Sequence, residues 1–125
     1  MNHEIYLVAV RQNGLALKYI NNQTEEICLA AVGQTHFALQ YVKNQTEKIC
    51  LATMKNNGYA LRFVQHQTLE LCLAAVENNG FALKYVQHQT PEICLAAVEN
   101  NKEALKYVNK DKFPDIYIYC KLLYN

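Results

Sequence analysis

Cys28, Cys50, Cys72 and Cys94 recur at a fixed step of 22 residues, and Cys120 follows outside the series. Thiols can act as nucleophiles, metal ligands or disulfide partners, and spacing decides among these. Zinc needs several donors converging from nearby positions, whereas each copy supplies one cysteine and no fixed histidine. A disulfide needs Cα atoms within about 7 Å, and stacked helices stand on the order of 10 Å apart. The four thiols are therefore expected to be free, packed as a column of small core side chains, and suited to a reducing compartment. Catalysis has no foothold, because a nucleophile, a base and an orienting group should occur once and converge. Here every candidate nucleophile is a repeated position or a lone tail residue, and the chain contains no serine and no glycine-rich phosphate loop. No catalytic residue, metal or cofactor is expected.

Other side chains recur at the same step. Tyr19, Tyr41, Phe63, Tyr85 and Tyr107 form an aromatic column that invites comparison with base stacking, but their β-branched neighbours favour a core ladder. Leu15, Phe37, Tyr59 and Phe81 form a second column that breaks to Glu103, and tolerance of a carboxylate implies partial exposure and a grooved apolar surface. Gln23, Gln45, Gln67 and Gln89 are identical in four copies. Such a glutamine can tie its amide to backbone groups of the adjacent unit or grip a partner's backbone. His66 and His88 stand beside these glutamines in only two copies and read as surface linker residues.

Charge varies in step as well. Lys18, Gln40, Arg62, Lys84 and Lys106 share one position, and Glu26, Lys48, Glu70, Glu92 and, across an insertion, Asp115 share another in the following unit. The copy that lacks the cation is followed by the copy that lacks the acid. Each cation is therefore expected to meet the acid of the next unit, leaving no free phosphate-binding stripe, in keeping with a net charge of +1.

Two elements must position these columns. Thr24-Glu25-Glu26-Ile27-Cys28-Leu29-Ala30-Ala31-Val32 opens with an N-cap threonine and acids at the positive end of the helix dipole, and Pro91 takes a first helical position. The first copy lacks the threonine. Asn13-Gly14, Asn57-Gly58 and Asn79-Gly80 are expected to end this helix in a left-handed turn, and Thr35-His36 and Asn101-Lys102 replace them with a strained or looser one. A second helix of about two turns follows, as in Phe81-Ala82-Leu83-Lys84-Tyr85-Val86, too short to stand without packing. Leucine-rich repeats have a similar period, but Cys-Leu-Ala-Ala-Val suits helix contacts and packs poorly in strands.

The fold expected is all-α: a helical solenoid of about five 22-residue two-helix repeats, residues 2–23, 24–45, 46–67, 68–89 and 90–111, with a C-terminal capping helix in 112–125. In that cap Phe113-Pro114-Asp115-Ile116 echoes Thr90-Pro91-Glu92-Ile93, and Ile118, Leu122 and Leu123 continue an apolar face. No apolar run approaches the roughly 20 residues of a membrane span, and Met1-Asn2-His3-Glu4 opens no export signal. One soluble domain is expected.

The units Glu-Ile-Cys-Leu-Ala-Ala-Val, Asn-Asn-Gly-Phe-Ala-Leu-Lys-Tyr-Val and Gln-Thr-Pro-Glu-Ile-Cys resemble the short repeats of the family called domain of unknown function 4116, over about residues 2 to 111. That family is known mainly from giant DNA viruses of amoebae and from amoeba-associated bacteria. The resemblance implies a viral or effector-like protein in the cytoplasm or nucleus of a host cell, or in a virion, and supplies no site residues. Solenoids expose extended surfaces, so a non-enzymatic scaffold for a host or viral protein partner is the expected function. Its contact residues would be Leu15, Phe37, Tyr59, Phe81, Gln23, Gln45, Gln67 and Gln89. A nucleic-acid-binding repeat protein and a structural virion component are the alternatives.

Overall fold

The computed structural model describes residues 2–124, and every regular element among them is helical. Five α-helices alternate with five 310-helices: α1 (His3–Gln12), η1 (Gly14–Tyr19), α2 (Glu25–Gln34), η2 (His36–Tyr41), α3 (Glu47–Asn56), η3 (Gly58–Phe63), α4 (Leu69–Asn78), η4 (Gly80–Tyr85), α5 (Pro91–Asn100) and η5 (Lys102–Tyr107); α6 (Pro114–Tyr124) follows. Successive α-helices pack side by side, as do successive 310-helices, giving a solenoid of two layers. The second helix of each repeat is thus six residues of 310 winding. In so short a piece, i→i+3 bonding closes onto both flanks, as from Ala82 N to Asn79 O and from Val86 N to Leu83 O.

The threonines open α2 to α5 as their spacing implies. Thr24, Thr46, Thr68 and Thr90 accept from the N–H of Ile27, Ile49, Leu71 and Ile93, each at 3.2 Å. The first repeat is capped as well, because Asn2 accepts from Ile5 N at 2.9 Å. An asparagine carbonyl does the same work as the hydroxyl.

The expected left-handed turns are absent, for no described residue has positive φ, glycine included. Asn13, Asn57, Asn79 and Asn101 are extended, with φ from −148° to −155°, and their side chains cap the following 310-helix instead. Glycine is needed here for close approach. A Cβ on Gly14, Gly58 or Gly80 would strike the carbonyl oxygen of Ala31, Ala75 or Ala97 in the next repeat. The glycine N–H groups donate to Gln34, Asn78 and Asn100 at 2.7–2.8 Å, and Asn78 and Asn100 donate back to Lys55 O and Glu77 O.

The two copies without glycine precede atypical helices. Below His36, α3 carries Thr53 and Met54 where α2, α4 and α5 carry alanine and valine, and the buried Thr53 hydroxyl donates to Ile49 O at 2.7 Å. The turn at His36 is unstrained, and its contact with the next repeat is a bond between its Nδ1 and Asn57 Nδ2 at 3.0 Å.

The core runs between the layers. The repeats from Thr24 onward give it Ile27, Cys28, Ala31 and Val32 or their equivalents from the α-layer, and Ala38, Leu39 and Val42 or theirs from the 310-layer, with Leu105 half-buried. The first repeat gives it Leu7, Val10, Leu17 and Ile20 and leaves Ile5 exposed. In α6 only Cys120 is buried, whereas Ile118, Leu122 and Leu123, expected to extend the apolar face, point outward, Leu122 being 80% exposed. Counted across the insertion, Cys120 occupies the core position of Ala97, which puts Ile118 and Leu122 level with Leu95 and Glu99 on the outer side.

Candidate functional site

Residues i and i+3 eclipse in a 310-helix. Phe81 and Lys84 therefore share the outer side of η4 with the adjacent Tyr85, while Ala82 and Leu83 turn into the core. The same three positions face outward in each repeat, and rings alternate with cations along the outer face of the 310-layer except at Leu15, Gln40 and Glu103. Rings of successive repeats meet edge to face: Phe37 with Phe63 at 6.0 Å, Tyr59 with Tyr85 at 6.2 Å and Phe81 with Tyr107 at 6.0 Å between centroids. The row Leu15, Phe37, Tyr59, Phe81 is thus brought together on one surface, with Leu15 and Phe37 exposed and Tyr59 and Phe81 half-buried. The other row forms the expected core ladder only in part, four of its rings packing against the edge of the core. Tyr41, Phe63, Tyr85 and Tyr107 are half-buried and Tyr19 is 77% exposed, because six-residue helices turn their last residue outward beside the cation.

The cations do not pair with the acids of the following unit. Among the described residues the one ion pair between lysine or arginine and a carboxylate is Lys48 with Glu25 at 3.5 Å, and His3 Nε2 lies 3.4 Å from Glu26 Oε1. Lys18 instead lies over Tyr19 and Tyr41, Arg62 over Phe37 and Phe63, Lys84 over Tyr85 and Tyr107, and Lys106 over Phe81 and Tyr107, at 4.6–6.0 Å from the ring centroids. Each exposed contact of this kind contributes about 0.5–1 kcal/mol. The acids project from the α-layer, on the other side of the core. The five 310-helices carry five basic residues and one acidic, and α1 to α5 carry eight acidic and three basic, so one face is basic and aromatic and the opposite face acidic. The eclipsed i, i+3 pairing within a six-residue element was the signal in the sequence that could have assigned Lys18, Arg62, Lys84 and Lys106 to the ring face.

The glutamines lie apart from this surface, on the linker edge, and both ends of each amide are occupied. Gln67 Nε2 donates to Tyr85 O at 2.9 Å, and its Oε1 accepts from Gln87 N at 3.0 Å and from the Cys72 thiol at 3.5 Å. Gln23, Gln45 and Gln89 repeat the pattern on Tyr41 and Lys43, Phe63 and Gln65, and Tyr107 and Asn109. All five cysteines are free and buried. Burial pushes the thiols of Cys50, Cys72 and Cys94 up to about 11 and raises those of Cys28 and Cys120, which disfavours the reactive thiolate. Among the described residues no three His, Cys, Asp or Glu side chains gather as metal ligands, and no helix is long and apolar enough to cross a membrane.

No curated protein and no solved structure matches the chain. Residues 2–46 and 68–113 match the family described as Domain of unknown function (DUF4116), and the stretch between them is the repeat that follows His36 and carries Thr53 and Met54. With its repeats matched over well more than half of its length, the protein belongs to the DUF4116 family.

Proposed function

We propose that the protein is a non-enzymatic helical-repeat scaffold for protein–protein interaction, and that it takes an acidic partner along its 310 face. The observation carrying this reading is the alternation of cations and half-exposed rings at the spacing of the repeat. A partner laid along the stack meets Lys18, Arg62, Lys84 and Lys106 in turn, with ring edges between them. Carboxylates suit the N–H groups that the rings leave free, and apolar side chains suit Leu15, Phe37, Tyr59 and Phe81. Gln23, Gln45, Gln67 and Gln89, whose amides are engaged by backbone, set the spacing of these contacts and do not grip the partner. The interior of a host cell is the setting that the family resemblance implies, and five free thiols accord with a reducing compartment.

A second reading, single-stranded nucleic acid, draws on the same alternation, since such sites combine cations with stacking rings. Against it, ring faces here already carry cations or the edge of a neighbouring ring, Gln40 interrupts the basic row, and Glu103 puts a carboxylate in the row of Leu15, Phe37, Tyr59 and Phe81. Tyrosine emission reports on this face, because the chain has nine tyrosines and no tryptophan. Saturable binding of polyglutamate, weakened by Lys84→Ala, supports the protein-scaffold reading. Binding of oligothymidylate alone, falling steeply with salt, replaces it with the nucleic-acid reading. Binding of neither removes the face as a partner site.

A further inference from the structure

The two charge rows vary together although they do not touch. Lys18, Gln40, Arg62, Lys84 and Lys106 run along the 310 face, and Glu26, Lys48, Glu70, Glu92 and Asp115 run along the α face. All ten are exposed. Among the described residues no ion pair joins the rows within the chain: Lys48 pairs with Glu25 of the preceding repeat at 3.5 Å, and Gln40 Nε2 donates to Phe37 O at 2.9 Å, so neither contact links the two positions that vary together. Each row is one position of a stacked unit, with Asp115 carried over the insertion, so the spacing is shared along α1 to η5.

Two copies placed side by side can therefore set one row against the other. In the parallel register that puts Lys18 opposite Glu26, Arg62 meets Glu70, Lys84 meets Glu92, Lys106 meets Asp115, and Lys48 meets the uncharged Gln40. A slip of one repeat in either direction puts Lys18 or Arg62 against Lys48. The fully overlapped antiparallel arrangement puts Lys84 there. Like-charge contacts of this kind select against the wrong arrangement. The apolar parts match as well, for Leu51, Leu73 and Ala74 line a shallow hollow flanked by Glu70 and Glu77 and, at one end, by Lys55, and in this arrangement it faces the rings flanked by cations.

We infer that the acidic partner of the 310 face is the α face of a second copy of this chain, docked in parallel and in this register. The inference rests on the proposed reading of the 310 face as a docking surface and names what docks there. The contact joins two different faces, so each added copy leaves both faces open at the ends of the assembly, and the product is an open row of copies rather than a closed dimer.

Sedimentation equilibrium over a concentration series tests this, with circular dichroism as the check on folding. At low salt the mass rises steadily above 14.4 kDa with concentration, and at high salt it stays there. Lys84→Glu and Glu92→Lys each weaken association about tenfold or more, and the two combined in one chain restore it, because the reversed pair re-forms between copies. Arg62→Glu with Glu70→Lys repeats the test at a second joint. A mass of 14.4 kDa throughout the low-salt series, or a double variant no better than either single one, overturns the inference. Polyglutamate titrated into the same samples separates the two levels: binding by a protein that remains monomeric sinks the second copy and leaves the docking face, and binding by none with no self-association sinks both.

Discussion

The two edges of the solenoid join the same repeats by opposite devices. On the linker edge a glutamine amide is spent on the backbone of the next unit, and all four joints between the five repeats are alike, at Gln23, Gln45, Gln67 and Gln89. On the turn edge a glycine lies under an alanine carbonyl, and the row breaks at His36. A side chain with several torsions absorbs a shift of a few tenths of an ångström, whereas a backbone-to-backbone approach does not. The linker edge can therefore stay uniform while core residues vary. At the turn edge, the loss of one glycine goes together with Thr53 and Met54 below it.

The largest effect expected from breaking this contrast is at Gly80. Gly80→Ala drives a methyl into the Ala97 carbonyl oxygen and should cost about 3 kcal/mol, since a packed joint must open to admit it. Gly33 is the control. A Cβ there meets nothing within 4 Å inside the same kind of helix, so Gly33→Ala should stabilise by about 0.5–1 kcal/mol. Urea melts of both variants decide the matter. Equal, mild effects at the two positions would mean that the close approach holds nothing.

On the linker edge, Gln67→Ala strands Tyr85 O and Gln87 N and should cost about 2 kcal/mol, less than the clash because solvent reaches part of the gap. The same change removes the acceptor of the Cys72 thiol. That thiol, slow towards a thiol reagent in the native protein because burial holds it near 11, should label faster in the variant while Cys28 keeps its rate. Unchanged labelling would show that the glutamine does not close the joint over the cysteine.

A smaller loss, about 0.5–2 kcal/mol, is expected for Thr68→Ala, which frees the N–H of Leu71 without touching a joint between backbones. Thr68→Ser should recover most of it. If serine recovers nothing, the threonine acts through packing and not as a cap.

The repeat, the caps and the buried thiols were legible because each depends on contacts that recur at one step, so a column of identical residues reports a shared environment. The turn and the outer face were not. Asn-Gly before a helix is equally compatible with a left-handed cap and with an extended cap over a close contact, and only the position of Ala31, Ala75 and Ala97 in the neighbouring repeat distinguishes them. The charge rows misled for a related reason. Lys84 and Glu92 are near in sequence and opposite in sign, but a two-layer stack puts the 310 and α positions on opposite sides of the core, leaving the rings of Tyr85 and Tyr107 as the cation's nearest partners. Asn2 was overlooked as a cap because the column around it is threonine.

The finest test of the two edges is pH, because the turn edge at His36 carries a titratable ring where the other inter-repeat joints on that edge carry glycine. Asn57 Oδ1 accepts from Tyr59 N at 3.0 Å, which turns its NH2 group towards His36 Nδ1, so the ring nitrogen acts as an unprotonated acceptor. Burial, and then the nearby Arg62 guanidinium, lowers the His36 pKa below its ordinary 6.5. The unfolded chain therefore takes up the proton first as pH falls. The stability contributed by the neutral ring is complete above the unfolded value and is lost as pH drops through it towards the lower folded value. Relative to His36→Gln, the native protein should hold a constant difference in urea midpoint above about pH 7.5 and lose ground between about pH 7 and about pH 5. His3, His66, His88 and the carboxylates act alike in both proteins, so the difference isolates this ring. The change is expected to be the smallest of the series because the ring is partly exposed. A difference that is flat with pH, or that grows in acid, would show that His36 does not hold its joint as a neutral acceptor.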